Sequence, residues 1–211
     1  MVGQDRAART PRRRERHDAI ENRRQILAAA QRLFAEQGVD NTSMYEVARA
    51  AGVGQGTLYR RFAHKGELCQ ALIREDVEEF KERVGAAIGG ARAPSSALRR
   101  LEILIVEKIR LTERHMPLLA AIDEAAAGPR RAEMFRGPFH TWLHTQIAGL
   151  LAEAVAQGEI APLDVEFTAG ALLAVTSPWL FCHQRQDRGF SVERIIEGTR
   201  SLFIARLQPS H

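Results

Sequence analysis

Residues 42–68 read TSMYEVARAAGVGQGTLYRRFAHKGEL, and their spacing decides the fold. Thr42 and Ser43 offer a cap, Glu46 stands three residues after Ser43, and Met44, Val47 and Ala48 open an apolar face, which together mark a helix start. Gly52 follows Ala48 by four residues, and Leu58 follows Gly52 by six. Two helices that cross steeply need this order: a small residue where they approach, a glycine where the chain turns with positive φ, and an apolar residue to pin the second helix. Val53, Leu58 and Phe62 are expected to face inward. Gln55, Thr57, Tyr59, Arg60 and Arg61 then project outward from a helix of about two turns. An amide and a guanidinium pair with base edges, and hydroxyls and further charges hold phosphates, so the set suits a DNA groove. A solvated polar face on a helical hairpin has the same spacing, and geometry alone leaves both readings open.

The charge around this segment favours the first. Residues 1–70 hold 13 Lys and Arg against 8 Asp and Glu, whereas residues 71–211 hold 17 against 18. The net charge of +4 therefore originates in the first third of the chain, as expected of a basic module with a polyanionic partner joined to a nearly neutral body. Residues 1–20 carry Arg6, Arg9, Arg12, Arg13, Arg14 and Arg16 with little to bury and read as a flexible basic arm. Arg12, Arg13 and Arg14 either remain solvated or enter an adjacent minor groove, where narrow A·T tracts concentrate negative potential.

Helical spacing continues in both directions. Ile26, Ala30, Leu33 and Phe34 place a helix over residues 22–37, stopped by Gly38. A longer helix is expected over residues 65–88, then a loop containing Gly89, Gly90 and Pro94, then helices over 98–114 and from Pro117 to the Gly128-Pro129 break. Pro138 opens a helix ending at Gly158, Asp164 caps the next, and Ser191 caps the last. No stretch alternates as a strand does, so the chain reads as all-α with about nine helices. The uncharged stretch over residues 167–184 is polar enough at Thr168, Thr176, Ser177 and His183 to be read as a buried helix rather than a membrane span. Without an apolar core behind the basic N-terminus or a cysteine framework, the expectation is a cytoplasmic protein with Cys69 and Cys182 reduced.

The Gly-x-Leu-Tyr-x-x-Phe-x-x-Lys core from Gly56 to Lys65, within residues 22–72, resembles the N-terminal DNA-binding domain of the TetR/AcrR family of bacterial transcriptional regulators. The resemblance implies a helix-turn-helix domain over residues 21–72 and a helical ligand-binding and dimerisation domain over 73–211. It implies that Thr42 meets a phosphate, that Gln55, Gly56 and Thr57 sit at the mouth of the recognition helix with Gln55 nearest the bases, and that Tyr59, Arg60, Arg61 and Lys65 grip phosphates. Two positions depart from the family pattern: Gln55 stands where serine is common, and Arg61 where histidine is usual. The first lengthens the reach toward a base and suits adenine; the second adds a permanent charge.

The body is expected to do two jobs. Apolar stripes on the last two helices suit a homodimer, which would present two recognition helices to a near-palindromic operator on double-stranded DNA. The middle helices are expected to enclose a small, mostly apolar effector of unknown identity, with Leu104, Met116, Leu119, Phe139, Trp142, Leu143, Thr176 and Trp179 as candidate lining residues and Met134 and Phe135 as further ones. Each of these is also an ordinary core residue type. His140 and His144 have metal-sharing spacing, but no nearby Cys or carboxylate completes a set, and neither a metal nor a cofactor is expected. No phosphate loop, nucleophile elbow or catalytic carboxylate pair is present, so an enzyme is not expected. The expectation is a ligand-responsive transcriptional repressor. Its rivals are an activator or ligand-independent regulator, a small-molecule-binding protein with a non-functional DNA module, and a sequence-indifferent DNA binder.

Overall fold

The computed structural model describes residues 11–125 and 136–207, with side chains from residue 18 onward. Among these residues there are eleven α-helices and one 3-10 turn, and no strand. They are α1 (Pro11–Gln37), α2 (Met44–Ala50), α3 (Gln55–Arg61), α4 (Lys65–Leu72), α5 (Arg74–Gly89), α6 (Ala97–Arg114), α7 (Met116–Ala125), α8 (Pro138–Ala156), α9 (Val165–Val175), α10 (Pro178–Gln186) and α11 (Val192–Phe203), closed by the turn Ala205–Leu207. The chain divides into two compact units, Met1–Leu72 and Ile73–His211.

The count exceeds nine because two expected helices are each divided. The one expected over 65–88 is interrupted at Ile73, where the sequence carries neither glycine nor proline to mark a break. The one following Asp164 ends at Val175, and Ser177 caps a new helix by accepting from the Leu180 amide at 3.4 Å. Pro178 has no N–H to continue the ladder, yet suits the first turn of a helix, so it restarts the chain rather than kinking it. The apolar stretch Val165–Gln186 is long and apolar enough to cross a membrane by length and composition, but it is these two helices, and it supplies Leu172, Leu173 and Phe181 to a core.

The expected flexible arm over residues 1–20 is also corrected in part. Helix α1 begins at Pro11 and runs unbroken through residues 11–20. Proline at the first helical position, followed by 26 residues without glycine or proline, gives α1 no internal stop. Residues 1–10, and the side chains of Arg12, Arg13 and Arg14, lie outside the described residues.

In the first unit, Ile26 and Ala30 of α1 meet Met44, Val47, Ala48, Leu58, Phe62 and Leu68. Ser43 and Glu46 form the capping box: the Ser43 hydroxyl accepts from the Glu46 amide at 3.2 Å, and Glu46 accepts from the Ser43 amide at 2.8 Å. These bonds hold the Glu46 carboxyl below its ordinary pKa, with the Ser43 backbone bond the largest cause. Gly52 turns the chain at φ 67°, a conformation unfavourable for residues with a Cβ, and the Val53 amide donates to the Ala48 carbonyl at 3.0 Å. The turn delivers α3 with Leu58 fully buried and Phe62 nearly so.

In the second unit α6 is central, packing against α5, α7, α8, α10 and α11. Leu101, Leu104, Ile105 and Ile109 meet Phe80 and Val84 of α5, Leu143, Ile147 and Leu151 of α8, and Leu172 of α9. Glu159 anchors the start of α6 by accepting from the Ser96 hydroxyl and the Ala97 and Leu98 amides at 3.1, 3.1 and 2.8 Å. Three N-terminal donors thereby find a carboxylate, at the end of the helix where negative charge is favoured.

Candidate nucleic-acid interface

Helix α3 has one face sunk and the other bare. Leu58 and Phe62 hold it from behind, while Gln55, Gly56, Tyr59 and Arg60 are exposed and Thr57 and Arg61 half-buried. Tyr59 is 50% exposed. The Arg60 guanidinium donates to the Thr57 hydroxyl at 3.1 Å, orienting both toward the same side. Arg60, Arg61 and Thr57 share an open cleft of about 480 Å³ with Asp18, Ala19 and Asn22 of α1. The N-terminal part of α1 thus borders the cationic end of α3. Sequence spacing gives no sign of this, because it places residues 18–20 in the arm.

Gly56 is informative in a different way. It lies in the first turn of α3, and a Cβ built on it meets no atom within 4 Å. Glycine inside a helix costs about 1 kcal/mol relative to alanine, so the described chain gains nothing from it at this position. The same open space surrounds Gly85, Gly149, Gly170 and Gly198, and what sets Gly56 apart is its place in the first turn of α3.

Two of the expected phosphate contacts also make hydrogen bonds within the module. Thr42 is only 1% exposed; its hydroxyl donates to the Gly38 carbonyl at 2.7 Å and accepts from the Gln37 amide at 3.2 Å. Lys65 donates to the carbonyls of Val39 and Asp40 at 2.8 and 3.4 Å. These carbonyls lie just beyond the end of α1, so Lys65 braces α4 against the α1–α2 loop. Tyr45 on α2, which sequence reasoning did not single out, is 55% exposed. Its place three residues after Thr42, on the polar side of a helix whose Met44 and Val47 are buried, was the available signal.

Most of the expected effector residues in the second unit gather in or on one core cluster, and Trp179 stands apart. Leu104 and Leu143 are buried in the core, with Met116, Phe139 and Trp142 packed on it. Phe139 and Trp142 are stacked at 6.3 Å, and both set an edge against Phe80. Leu119 is half-buried. Thr176 is buried, its hydroxyl donating to the Leu172 carbonyl at 2.7 Å. Trp179 points away, 61% exposed and stacked on His183. Met134 and Phe135 lie outside the described residues. His144 approaches Glu166 at 3.8 Å, and among the described residues no three His, Cys, Asp or Glu side chains are gathered as a metal site would need.

A short helix pinned by its apolar face, preceded by a glycine turn and exposing an amide, a phenol and two guanidiniums, defines a helix-turn-helix module at the head of an all-helical chain. The sequence profile of the bacterial regulatory proteins, tetR family, matches residues 26–72. An HTH-type transcriptional regulator of Staphylococcus aureus is 49% identical over 65 residues, covering 31% of this chain and 35% of that protein. The chain therefore spans about a third of the length of the curated relatives it matches. A solved transcriptional regulator of the TetR/AcrR family from Thermobifida fusca is 26% identical, with a TM-score of 0.63 over 90% of this chain and 100% of its own. Thermus thermophilus FadR, a TetR family repressor solved with lauroyl-CoA, shares the fold at 20% identity and a TM-score of 0.69, over 90% of this chain and 96% of its own. The chain therefore carries a tetR-family DNA-binding domain over residues 26–72 and is similar in fold, over most of its length, to solved TetR/AcrR regulators.

Proposed function

We propose that this protein is a ligand-responsive transcriptional repressor that acts in the cytoplasm, binds a near-palindromic DNA operator as a homodimer and is released by a small molecule. The observation that carries the reading is α3, whose apolar side is buried and whose Gln55, Gly56, Thr57, Tyr59, Arg60 and Arg61 remain free to meet a groove. Gln55 reads a base edge, Arg60 and Arg61 hold phosphates from the cleft beside α1, and Gly56 lets the sugar-phosphate backbone come close. Thr42 and Lys65 brace the module and, at the starts of α2 and α4, are further candidates for phosphate contact.

Dimerisation through the C-terminal helices is supported by three large apolar side chains left in the open on successive helices: Phe167 on α9 is 75% exposed, Trp179 on α10 61% and Leu202 on α11 57%. Two copies joined there would set their recognition helices about 34–36 Å apart, one turn of duplex. Ligand response in this fold has solved precedents, since FadR from Thermus thermophilus holds lauroyl-CoA and AibR has been solved with isovaleryl-CoA and operator DNA. A ligand releases DNA only through its differential affinity for the two states, typically about 1–3 kcal/mol.

Selection of bound genomic fragments with the purified protein tests the reading. A discrete site with two inverted half-sites is the expected result. Uniform retention of all fragments would instead identify a sequence-indifferent binder, and no retention a protein whose DNA module is inactive.

A further inference from the structure

Lys108 is the one buried cation among the described residues, 6% exposed at the centre of α6. It follows Leu101, Leu104 and Ile105 on the core-facing stripe, where an aliphatic residue would be ordinary. Its ammonium donates to the Thr176 carbonyl, left without a helical partner where α9 ends before Pro178. An ammonium has three donors, and a neutral carbonyl satisfies one of them without cancelling the charge. Among the described residues no carboxylate lies within ion-pair distance of it. Glu102, the buried carboxylate six residues earlier, meets both Arg99 and Arg200. The same helix thus holds one buried charge that is doubly paired and one with no counter-charge.

Elsewhere in the second unit there is further unused polar capacity. On α10, which packs against both α6 and α7, the Gln184 side-chain oxygen is buried with no hydrogen-bond partner. Nε2 of His115, just beyond the end of α6, is buried 3.1 Å from Asp76 Oδ2 but off the line of a hydrogen bond. Burial lowers the Lys108 pKa to about 7, and no neighbouring charge opposes the effect. An isolated buried charge is destabilising by several kcal/mol unless something pairs it, and replacing it with a hydrophobic residue would ordinarily relieve the chain.

We propose that Lys108 anchors the carboxylate of a small apolar acid, bound where α9 breaks from α10, and that this is the effector site of the second unit. A single negative charge neutralises the lysine and takes up its spare donors, and apolar residues of the same core (Leu104 and Ile105 on the turn before it, Leu172 on the turn before Thr176, and Phe181 on α10) receive the apolar remainder of the ligand. A neutral ligand would leave the charge unpaired, and a multiply charged one would bury an excess. The proposal rests on the reading of the second unit as ligand-binding and names the class of ligand.

The full-length protein is titrated with octanoate, decanoate and phenylacetate, and with decanol as a neutral control, by calorimetry and thermal shift. At least one acid is expected to bind more tightly than decanol, and Lys108→Met to weaken it by about tenfold or more and so remove that preference. A second measurement needs no variant at position 108. The chain has only three lysines, Lys65, Lys81 and Lys108, so carbon-13 lysine labelling yields three side-chain environments, assigned with K65R and K81R. The bound acid is expected to move the Lys108 signal alone. Equal affinity of wild type and K108M for the acids, an unmoved Lys108 signal, or no binding by any acid would each overturn the proposal. Mobility shifts on a selected operator separate this from the regulatory reading. Decanol releasing DNA while Lys108 stays silent would sink the acid site and keep the switch; acid binding at Lys108 with DNA still held would keep the site and sink the switch.

Discussion

The two units handle polar chemistry in opposite ways. In the first, Gln55, Tyr59 and Arg60 stand outside an apolar cluster, on a short helix that Leu58 and Phe62 hold from within a few residues. In the second, the most unusual group is inside, and its partner at Thr176 is 68 residues distant. A surface probe needs only a firm backing, which local spacing supplies. A buried charge needs a particular carbonyl to arrive from elsewhere in the chain, which local spacing cannot announce.

The comparison breaks most severely at Leu58. Replacing it with alanine empties a fully buried position behind α3, and the expected loss is about 3 kcal/mol, read by urea denaturation and by amide exchange across residues 22–72. Unchanged exchange in α3 would mean that the helix is not held from behind.

Lys108 sharpens the contrast from the other side, through pH. Its folded-state pKa of about 7 lies below the ordinary 10.5, so between those values the unfolded chain binds more protons and stability rises with pH. Below pH 7 both states are charged and the full penalty is present. Lys108→Met should therefore be more stable than wild type at pH 7, by about 2 kcal/mol, with the difference shrinking toward pH 10.5. Parallel stability curves for the two proteins over that window would contradict the burial of an unpaired charge.

Smaller effects separate roles within α3. Gln55→Ala should reduce discrimination at one base position by about 1–3 kcal/mol, measured against a library of operator variants. Arg61→Ala should weaken all sequences alike and lower the salt-dependence slope by about 0.9 for each phosphate the side chain no longer neutralises. The reverse pattern would exchange their roles. The smallest change is expected at Gly56. Alanine there should stabilise the free protein by about 0.5–1 kcal/mol, because the Cβ meets nothing, yet weaken DNA binding. Tighter binding by Gly56→Ala would show that no backbone comes close at that turn.

How much of this was legible in the sequence follows the same division. The Ser43–Glu46 box, the Gly52 turn and the inward set Leu58 and Phe62 were readable because each depends on fixed offsets along a helix. Thr42 and Lys65 read in sequence as phosphate contacts, yet whether such a hydroxyl or ammonium faces solvent or the end of α1 depends on hydrogen bonds spanning up to 26 residues. The extension of α1 to Pro11 was obscured by its arginines, which resemble an unstructured arm in composition although they are good helix formers. In the second unit the apolar stripes located a core but not its exceptions.

By itself the sequence determined the all-helical class, the basic module at the head of the chain and the residues α3 exposes, because helix periodicity and the turn glycine act within a few residues. Tertiary structure alone decided that Lys65 and Thr42 hydrogen-bond to groups at the end of α1, and that Lys108 is buried with no counter-charge among the described residues. Those outcomes depend on which distant backbone groups the packed helices leave unsatisfied, and on where a side chain of the right length can reach them.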